Sequence, residues 1–436
     1  MEKHQVCLLN IQHGMTNISR RLKTMLSYKW IKSTLRDSFF NNSLSIMLSS
    51  AISSALGLIF WIIAGRTYSG EDIGVATAII SSVTLIIAIS KLGLDQSMIR
   101  FYPTEAKSRI FNTVIVTTSL VSLVIGIIFV AGIDFFSPNL KIINDMVVIF
   151  LAFTVISSMA SIVTNAFVSM RSAKYGLVQN IAMGSRLFLL FPLSFLGTLG
   201  IITSVLLAYV LAIIVCIVIL ISKGLRPEKL DFSFLKRSWD FSAGNYIVVL
   251  LTTIPTSVLP ILVFNQFGAE DTAIYYIVFS FASILFLIPS ACSTALFVEG
   301  SHGESINKIV KKSIITSYCL LVPALFVIVA TGDRLLGIVG TEYVKGGFEL
   351  LKLMAISSFF VVFFHNSISV WKVNMNLREM ILLSLLNCIL LLLLSYILMK
   401  SMGLIGIGVA WIVGYGISIA AILVIQRFFH PRTAPH

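Results

Sequence analysis

Twelve blocks of apolar residues, each about as long as a membrane-spanning helix, dominate this sequence. A helix needs roughly 20 apolar residues to cross the hydrocarbon core of a bilayer. The blocks occupy residues 43–65, 73–90, 112–133, 146–168, 177–197, 200–222, 244–265, 272–297, 313–331, 353–371, 380–399 and 403–425. Of the 436 residues, 57% are hydrophobic and only 12% are charged. That composition leaves too little polar surface for a soluble globular protein, and it is too hydrophobic for a disordered one.

The order of the blocks predicts an all-α integral membrane fold with two pseudo-symmetric six-helix lobes around a central cavity. The longest cytoplasmic connection, residues 223–243, separates six spans from six and carries five basic residues. An ungapped offset of 199 places Gly70–Gly74 on Ala269–Ala273, which supports a duplicated unit. We therefore expect a basic cytoplasmic tail, an N-terminal lobe, a basic linker, a C-terminal lobe and a second cytoplasmic tail at residues 1–42, 43–222, 223–243, 244–426 and 427–436, respectively.

The net charge of +13 indicates how the chain is oriented. If both termini are cytoplasmic, 25 Lys and Arg residues lie on the cytoplasmic side and 6 on the outside. Because basic loops stay in the cytoplasm during insertion, this bias predicts a multi-pass plasma-membrane protein with both ends inside. The charge is then a sign of topology, and we expect no nucleic-acid partner. The basic segment 20–40 is a topogenic tail or, alternatively, a surface helix on anionic lipid.

The sequence lacks the motifs of several catalytic chemistries. It has no P-loop, no HExxH or CxxC cluster and no Gly-x-Ser-x-Gly elbow. We therefore expect no enzyme activity, no cofactor and no metal site. All 19 carboxylates lie in predicted loops, tails or end turns of spans. A proton- or cation-coupled pump usually keeps a carboxylate deep in the membrane, so their placement disfavours such a pump.

Among the lysines and arginines, only Arg186 falls within a predicted span. A charge near the bilayer centre costs at least about 2.5–3.5 kcal/mol on insertion scales, so it must face protein, water or a ligand. One interpretation is a fixed cation in a central cavity that binds an anionic headgroup such as a phosphate. The alternative is an arginine that snorkels to the cytoplasmic face, or one that is held by a buried amide such as Asn165. Asn165 is also a candidate for contact with the substrate.

Three further arginines are candidates for contact with an anionic substrate. Arg100 and Arg171 lie at the predicted cytoplasmic mouth of the bundle, and Arg66 lies at its outer mouth. Each is equally explained by the bias of basic residues toward one side of the membrane or, for Arg66, by pairing with Glu71 or Asp72.

Two prolines and one histidine interrupt apolar spans. Pro255 and Pro260 each remove a backbone hydrogen bond from the seventh span and favour a bend, so they are candidates for a gate. Proline is also tolerated in membrane helices without such a role. His365 lies in the tenth span and is a secondary candidate, because a lone histidine on an apolar face is more often structural than a ligand.

Two stretches of the sequence resemble a known family of transporters. Residues 65–103 (GRTYSGEDIGVATAIISSVTLIIAISKLGLDQSMIRFYP) resemble the segment of the first two helices of polysaccharide (Wzx-type) flippases, and residues 264–301 (FNQFGAEDTAIYYIVFSFASILFLIPSACSTALFVEGS) resemble their helix seven-to-eight segment. These flippases belong to the multidrug/oligosaccharidyl-lipid/polysaccharide exporter superfamily. The resemblance implies two lobes that open alternately to each side, a cationic cavity to which Arg186 would contribute, and cargo built of sugars on a polyprenyl phosphate or diphosphate.

The sequence therefore predicts a transporter that flips a lipid-linked oligosaccharide or polysaccharide precursor from the cytoplasmic to the outer leaflet. We expect a monomer whose partners are its cargo, membrane lipid and other glycan-assembly proteins. One alternative is a cation-coupled multidrug or small-solute antiporter, although neither the first nor the seventh span has an acid in its core. The other is a membrane glycan polymerase, which would normally carry a large outer loop.

Overall fold

The structure, a computed structural model, describes residues 38–102, 106–170, 172, 174–301 and 305–429. Within these residues the chain forms helices and no strand. The fifteen α-helices are α1 (Ser38–Thr67), α2 (Gly70–Ser90), α3 (Leu94–Phe101), α4 (Lys107–Ala131), α5 (Ile133–Phe136), α6 (Val147–Ser169), α7 (Lys174–Met183), α8 (Arg186–Leu189), α9 (Thr198–Ser222), α10 (Phe232–Phe267), α11 (Ala269–Ser301), α12 (Ile306–Val339), α13 (Thr341–Val373), α14 (Leu377–Met402) and α15 (Ile405–Phe429). Two 3₁₀ segments, Pro138–Met146 and Ser194–Leu196, lie in the connections before α6 and α9.

Eleven helices in the described part of the chain are long and apolar enough to cross a membrane, namely α1, α2, α4, α6 and α9–α15. Their outer faces expose large apolar side chains such as Leu120, Val218 and Phe326. Such faces are unfavourable in water and favourable in a bilayer. The predicted multi-pass, all-α membrane fold is confirmed.

The fifth predicted span, residues 177–197, is not a continuous helix. It breaks at Gly184 and Ser185, between α7 and α8, and it is irregular again beyond the four-residue α8. Pro192 has no N–H to donate to the carbonyl four residues earlier, and Gly197 has a φ of 55°, a conformation that favours glycine. Local backbone chemistry therefore reduces the predicted twelve continuous spans to eleven in the described residues.

The predicted linker is partly helical. Only residues 223–231 lack helical structure, and α10 begins at Phe232, well before the predicted start at residue 244. Asp231 is the reason, because its carboxylate accepts the backbone N–H groups of Ser233 and Phe234 at 3.0 and 3.2 Å. A side chain that satisfies these first amides stabilises the start of a helix.

The N-terminal lobe (α1–α9) and the C-terminal lobe (α10–α15) meet where α2 and α11 begin. Gly74 lies so close to Ala269 that a Cβ atom at Gly74 would overlap the Ala269 carbonyl group. Nearby, Arg66 donates its Nε–H to the carbonyl of Ile338 at 2.5 Å. We call this the junction end, and we call the opposite end, which holds Lys91, Lys107, Lys223 and Lys312, the basic end.

Two pairs of helices repeat one spacing in the two lobes. Helices α2 and α11 begin at Gly70 and Ala269, which are 199 positions apart, and α4 and α12 begin at Lys107 and Ile306, also 199 apart. Between these helices the lobes differ. A left-handed turn at Gly93 separates α2 from α3, whereas α11 continues without interruption over the corresponding residues.

Candidate functional site

Arg186 lines a cavity in the N-terminal lobe. The cavity has a volume of about 220 Å³ and is walled by α1, α2, α6, α8 and α9, with Tyr276 contributed by α11 of the other lobe. The ring of Tyr276 contacts that of Trp61 edge to face, with centroids 4.9 Å apart. The cavity thus lies beside the interface between the lobes, and much of its wall is aromatic, from Phe60, Trp61, Phe153, Tyr209 and Tyr276.

The guanidinium group of Arg186 has no acidic neighbour among the described residues of this wall. Its Cζ lies 5.0 Å from the centroid of the Phe60 ring, which is a cation–π contact. Its Nε has no hydrogen-bond partner within the described chain. A cation with an unused donor in an aromatic cavity is suited to bind an anionic acceptor such as a phosphate oxygen.

Hydrogen bonds hold the irregular segment that follows Arg186. The Tyr68 hydroxyl donates to the carbonyl of Leu190 at 2.8 Å. One carboxylate oxygen of Asp72 accepts the backbone N–H and the hydroxyl of Thr198 at 2.7 and 2.9 Å. Because α8 is fixed by these contacts and separated from α7 by a break, the Arg186 side chain projects into the cavity.

A second cavity, of about 310 Å³, adjoins the first and extends toward the basic end. The two share four wall residues, Thr84, Ile87, Ser157 and Tyr209. The second cavity, which we call the vestibule, adds the polar side chains Gln96, Ser161, Thr164, Gln179 and Asn180. Amide and hydroxyl groups both donate and accept hydrogen bonds, so this wall suits a ligand rich in hydroxyl groups.

Sequence reasoning missed the polar residues of the vestibule, among them Asp95 and Gln179. Asp95 is only 7% exposed, its carboxylate lies 3.8 Å from Lys91 Nζ, and it accepts the backbone N–H of Gln96 at 2.9 Å. Helical spacing does not predict this contact, because the left-handed turn at Gly93 lies between Lys91 and Asp95. Gln179 is buried and lies within the predicted fifth span; its Oε1 accepts from the Thr164 hydroxyl at 2.9 Å and its Nε2 donates to the Ala160 carbonyl at 2.8 Å.

The other candidate arginines do not line either cavity in the described chain. Arg100 is exposed at the end of α3, with its Cζ 6.0 Å from the centroid of the Phe101 ring. Arg66 lies at the junction end, where it bonds to Ile338. Arg171 falls outside the described residues. A direct role for these three in substrate binding stays a prediction.

The remaining candidates also lie outside the two cavity walls. Asn165 donates from Nδ2 to the carbonyl of Ser161 at 3.1 Å, so its amide is used within α6. Pro255 and Pro260 are buried in α10, which is helical through both positions. His365 lies in α13 and is half-buried. The gating role of the prolines and a site role for the histidine stay predictions.

Comparison with known proteins gives matches only among solved structures, because no protein family and no curated protein matches the chain. "Lipid II flippase MurJ, inward closed conformation" superposes with a TM-score of 0.71 at 14% identity, over 88% of this chain and 87% of that one. An inward-facing multidrug resistance MATE family transporter of the MOP superfamily gives 0.64 at 12% identity, over 86% and 96%. MATE in complex with MaL6 gives 0.62 at 13%, over 90% and 95%.

This chain has the fold of the MOP transporters. The likeness covers nearly the whole chain and includes the division into two lobes that the sequence predicts. The fold is thus the one that the sequence resemblance implied. The finer assignment to Wzx-type flippases stays a prediction, since the similarity lies in the fold.

Proposed function

We propose that the protein is a membrane transporter that flips an anionic, lipid-linked oligosaccharide or polysaccharide precursor by alternating access. The observation that carries the proposal is Arg186, an unneutralised cation beside the interface between the lobes, at the inner end of a polar vestibule. The phosphate or diphosphate of the cargo contacts Arg186, and its sugars hydrogen-bond to the amides and hydroxyls of the vestibule wall. The lipid tail stays in the bilayer.

The proposed direction follows the charge bias of the sequence. With both termini in the cytoplasm, the basic end and the mouth of the vestibule face the cytoplasm, while the junction end is closed toward the outside. Cargo enters from the cytoplasmic leaflet and shifts the balance between two states of similar free energy. Pro255 and Pro260 let α10 bend as the junction end opens and the vestibule closes.

The test is translocation of a fluorescent polyprenyl diphosphate-linked oligosaccharide in vesicles that contain the purified protein. We expect Arg186→Ala to slow flipping by about ten- to a hundredfold, because a charge-assisted hydrogen bond contributes about 1.5–3 kcal/mol. Arg186→Lys keeps the charge and should retain part of the rate. The matched control is Arg334→Ala, an exposed arginine at the junction end, which should flip at the parental rate.

Normal flipping by Arg186→Ala would remove this residue from the mechanism. Efflux of a cationic dye driven by a sodium or proton gradient, without movement of the lipid-linked sugar, would overturn the proposed cargo in favour of an antiporter. Both assays use the same vesicles. The protein content of these vesicles is measured for each variant, which distinguishes a variant that does not insert from one that inserts but does not transport.

A further inference from the structure

A groove on the C-terminal lobe lies between α12, α13 and α15 at the basic end. Its volume is about 720 Å³, larger than either cavity of the N-terminal lobe. Its walls are mostly apolar side chains, among them Val310, Ile314, Ile315, Val370, Ile419 and Ile422. Two exposed polar residues of the first turns of α12, Asn307 and Lys311, also line it.

The corresponding place in the N-terminal lobe is filled by protein. The groove borders the first turns of α12, and the offset of 199 positions relates these turns to α4, which borders a buried cluster of the N-terminal lobe. By this offset, Val310 and Ile314 of the groove correspond to Phe111 and Ile115 of the cluster. The same helical gap is therefore a solid core in one lobe and an open groove in the other.

Two apolar side chains of the segment between the lobes help to fill the gap in the N-terminal lobe. Leu225, after α9, is 5% exposed, and Phe234, in the first turn of α10, is 0% exposed. The segment is held on α4, where the Ser108 hydroxyl accepts the N–H of Arg226 at 3.1 Å and Asn112 Nδ2 donates to the Arg226 carbonyl at 3.0 Å. Polar side chains on α4 thus fix the chain that covers the gap.

The counterparts of those two polar residues on α12 are Asn307 and Lys311. One of them is a cation, and the described chain places no apolar segment over the groove that they border. The groove therefore offers an apolar channel with a positive charge at its end, at the level of the membrane surface. A long alkyl chain with an anionic headgroup matches both features.

We propose that this groove binds one anionic phospholipid of the surrounding bilayer. One acyl chain occupies the space that Leu225 and Phe234 fill in the other lobe, and the phosphate contacts Lys311 and Asn307. The basic N-terminal residues 1–37 are a poorer occupant, because they would place like charges beside Lys311. The site is separate from the cavity of Arg186, so the bound lipid completes the lobe and is not cargo.

The test is native mass spectrometry of the full chain. The protein is first exchanged into nanodiscs of phosphatidylglycerol or of phosphatidylcholine and is then released into mild detergent. We expect one retained phosphatidylglycerol, and about a tenfold or greater loss of it in Lys311→Glu, because each basic residue contributes measurably to anionic lipid binding. The matched control is Lys308→Glu, an exposed residue on the same helix that does not line the groove, which should retain lipid as the parent does.

A second variant tests the groove itself. Ile315 lines the groove and is 52% exposed, so Ile315→Trp should fill the channel without disturbing the core, and it should release the bound phosphatidylglycerol. Equal losses in Lys308→Glu and Lys311→Glu, or unchanged retention in Ile315→Trp, would overturn the proposal. Retention of a lipid-linked sugar in place of phospholipid would also overturn the proposal. In the lipid-free chain, a maleimide should label Ile315→Cys more than the parent. Failure to do so would mean that the protein itself covers the groove, and it too would overturn the proposal.

Discussion

The two lobes follow the same helical plan but close the basic end by different means. In the N-terminal lobe, residues 223–234 cross the ends of α4, α6 and α9 and bury Phe234. In the C-terminal lobe, the gap between α12, α13 and α15 is open. A duplicated fold repeats the positions of the helices, but it does not repeat the segments that connect them. The segment between the lobes covers the gap at the basic end of the N-terminal lobe and leaves the corresponding gap of the C-terminal lobe uncovered in the described chain.

The lobes also differ where the candidate site lies. The segment that carries Arg186 is a broken helix, and its counterpart before the last helix, α14, is one continuous helix from Leu377 to Met402. The Arg186 side chain lies directly after this break and lines the cavity. The cationic cavity is therefore a property of the N-terminal lobe, although Tyr276 of the other lobe completes its wall.

The largest expected effect comes from removing the side chain that fills the N-terminal gap. We expect Phe234→Ala to lower the free energy of unfolding by about 3–5 kcal/mol, as is usual for a fully buried phenylalanine. The matched control Phe232→Ala removes a 68% exposed ring from the same turn and should change it by less than about 0.5 kcal/mol. Thermal unfolding in detergent measures both.

Phe234→Ala should also make the N-terminal lobe resemble the C-terminal lobe at the basic end. If the gap in the N-terminal lobe is opened by Phe234→Ala, it should acquire an apolar groove and retain additional phospholipid in native mass spectrometry. An unchanged unfolding midpoint in this variant would contradict the role of Phe234 as the filler of the gap.

The second prediction compares two glycines that precede the last helix of each lobe. Gly197 and Gly403 share an unusual backbone conformation, with φ of 55° and 61° and ψ of −131° and −147°. A Cβ atom at Gly197 would lie 2.7 Å from the Asp72 carboxylate, whereas Gly403 has open space around it. We expect Gly197→Ala to cost about 1–2 kcal/mol more than Gly403→Ala, because only the former also disturbs the Asp72–Thr198 hydrogen bonds. Equal shifts in unfolding midpoint would refute this asymmetry.

The smallest expected effect concerns the cap that places Phe234. The Ser233 hydroxyl and the first amides of α10 donate to Asp231 and hold the pKa of its carboxyl below the ordinary value. We expect Asp231→Ala to cost about 0.5–2 kcal/mol at neutral pH, while Asp231→Asn, which can still cap, should cost less.

The pH dependence of this effect has a defined sign. Because the pKa is lowered in the folded state, the contribution of Asp231 is complete above the unfolded value of about 3.9 and is lost as the pH falls through the folded pKa. The difference in unfolding midpoint between the parent and Asp231→Ala should therefore be constant from about pH 5 to 8 and shrink below about pH 4. A difference that grows on acidification would exclude the assigned interaction.

The membrane fold and its duplication were predictable because their signals are summed over many residues. An apolar block of about 20 residues persists through local irregularities, and a repeat of 199 positions recurs at two pairs of helix starts. The break at Arg186 and the start of α10 were not predicted, because each depends on a few residues such as Gly184 or Asp231. An apolar average does not resolve such features.

Of the residues that line the candidate site, only Arg186 was predicted from the sequence. A charge within a predicted span must face protein, water or a ligand, which singled out Arg186 before its surroundings were known. Tyr209 and Tyr276 gave no signal, since aromatic residues are common throughout so hydrophobic a chain. Their place in the wall depends on how distant helices pack.

The contact of Gly74 with Ala269 determines how closely the two lobes approach each other at the junction end. Backbone meets backbone there, and neither residue has a large apolar side chain to expose. A side chain larger than hydrogen at position 74 would push the start of α2 away from the start of α11 and part the buried side chains beside them, such as Ile73 and Ala273. The close approach of the lobes at the junction end therefore depends on the absence of a Cβ atom at Gly74.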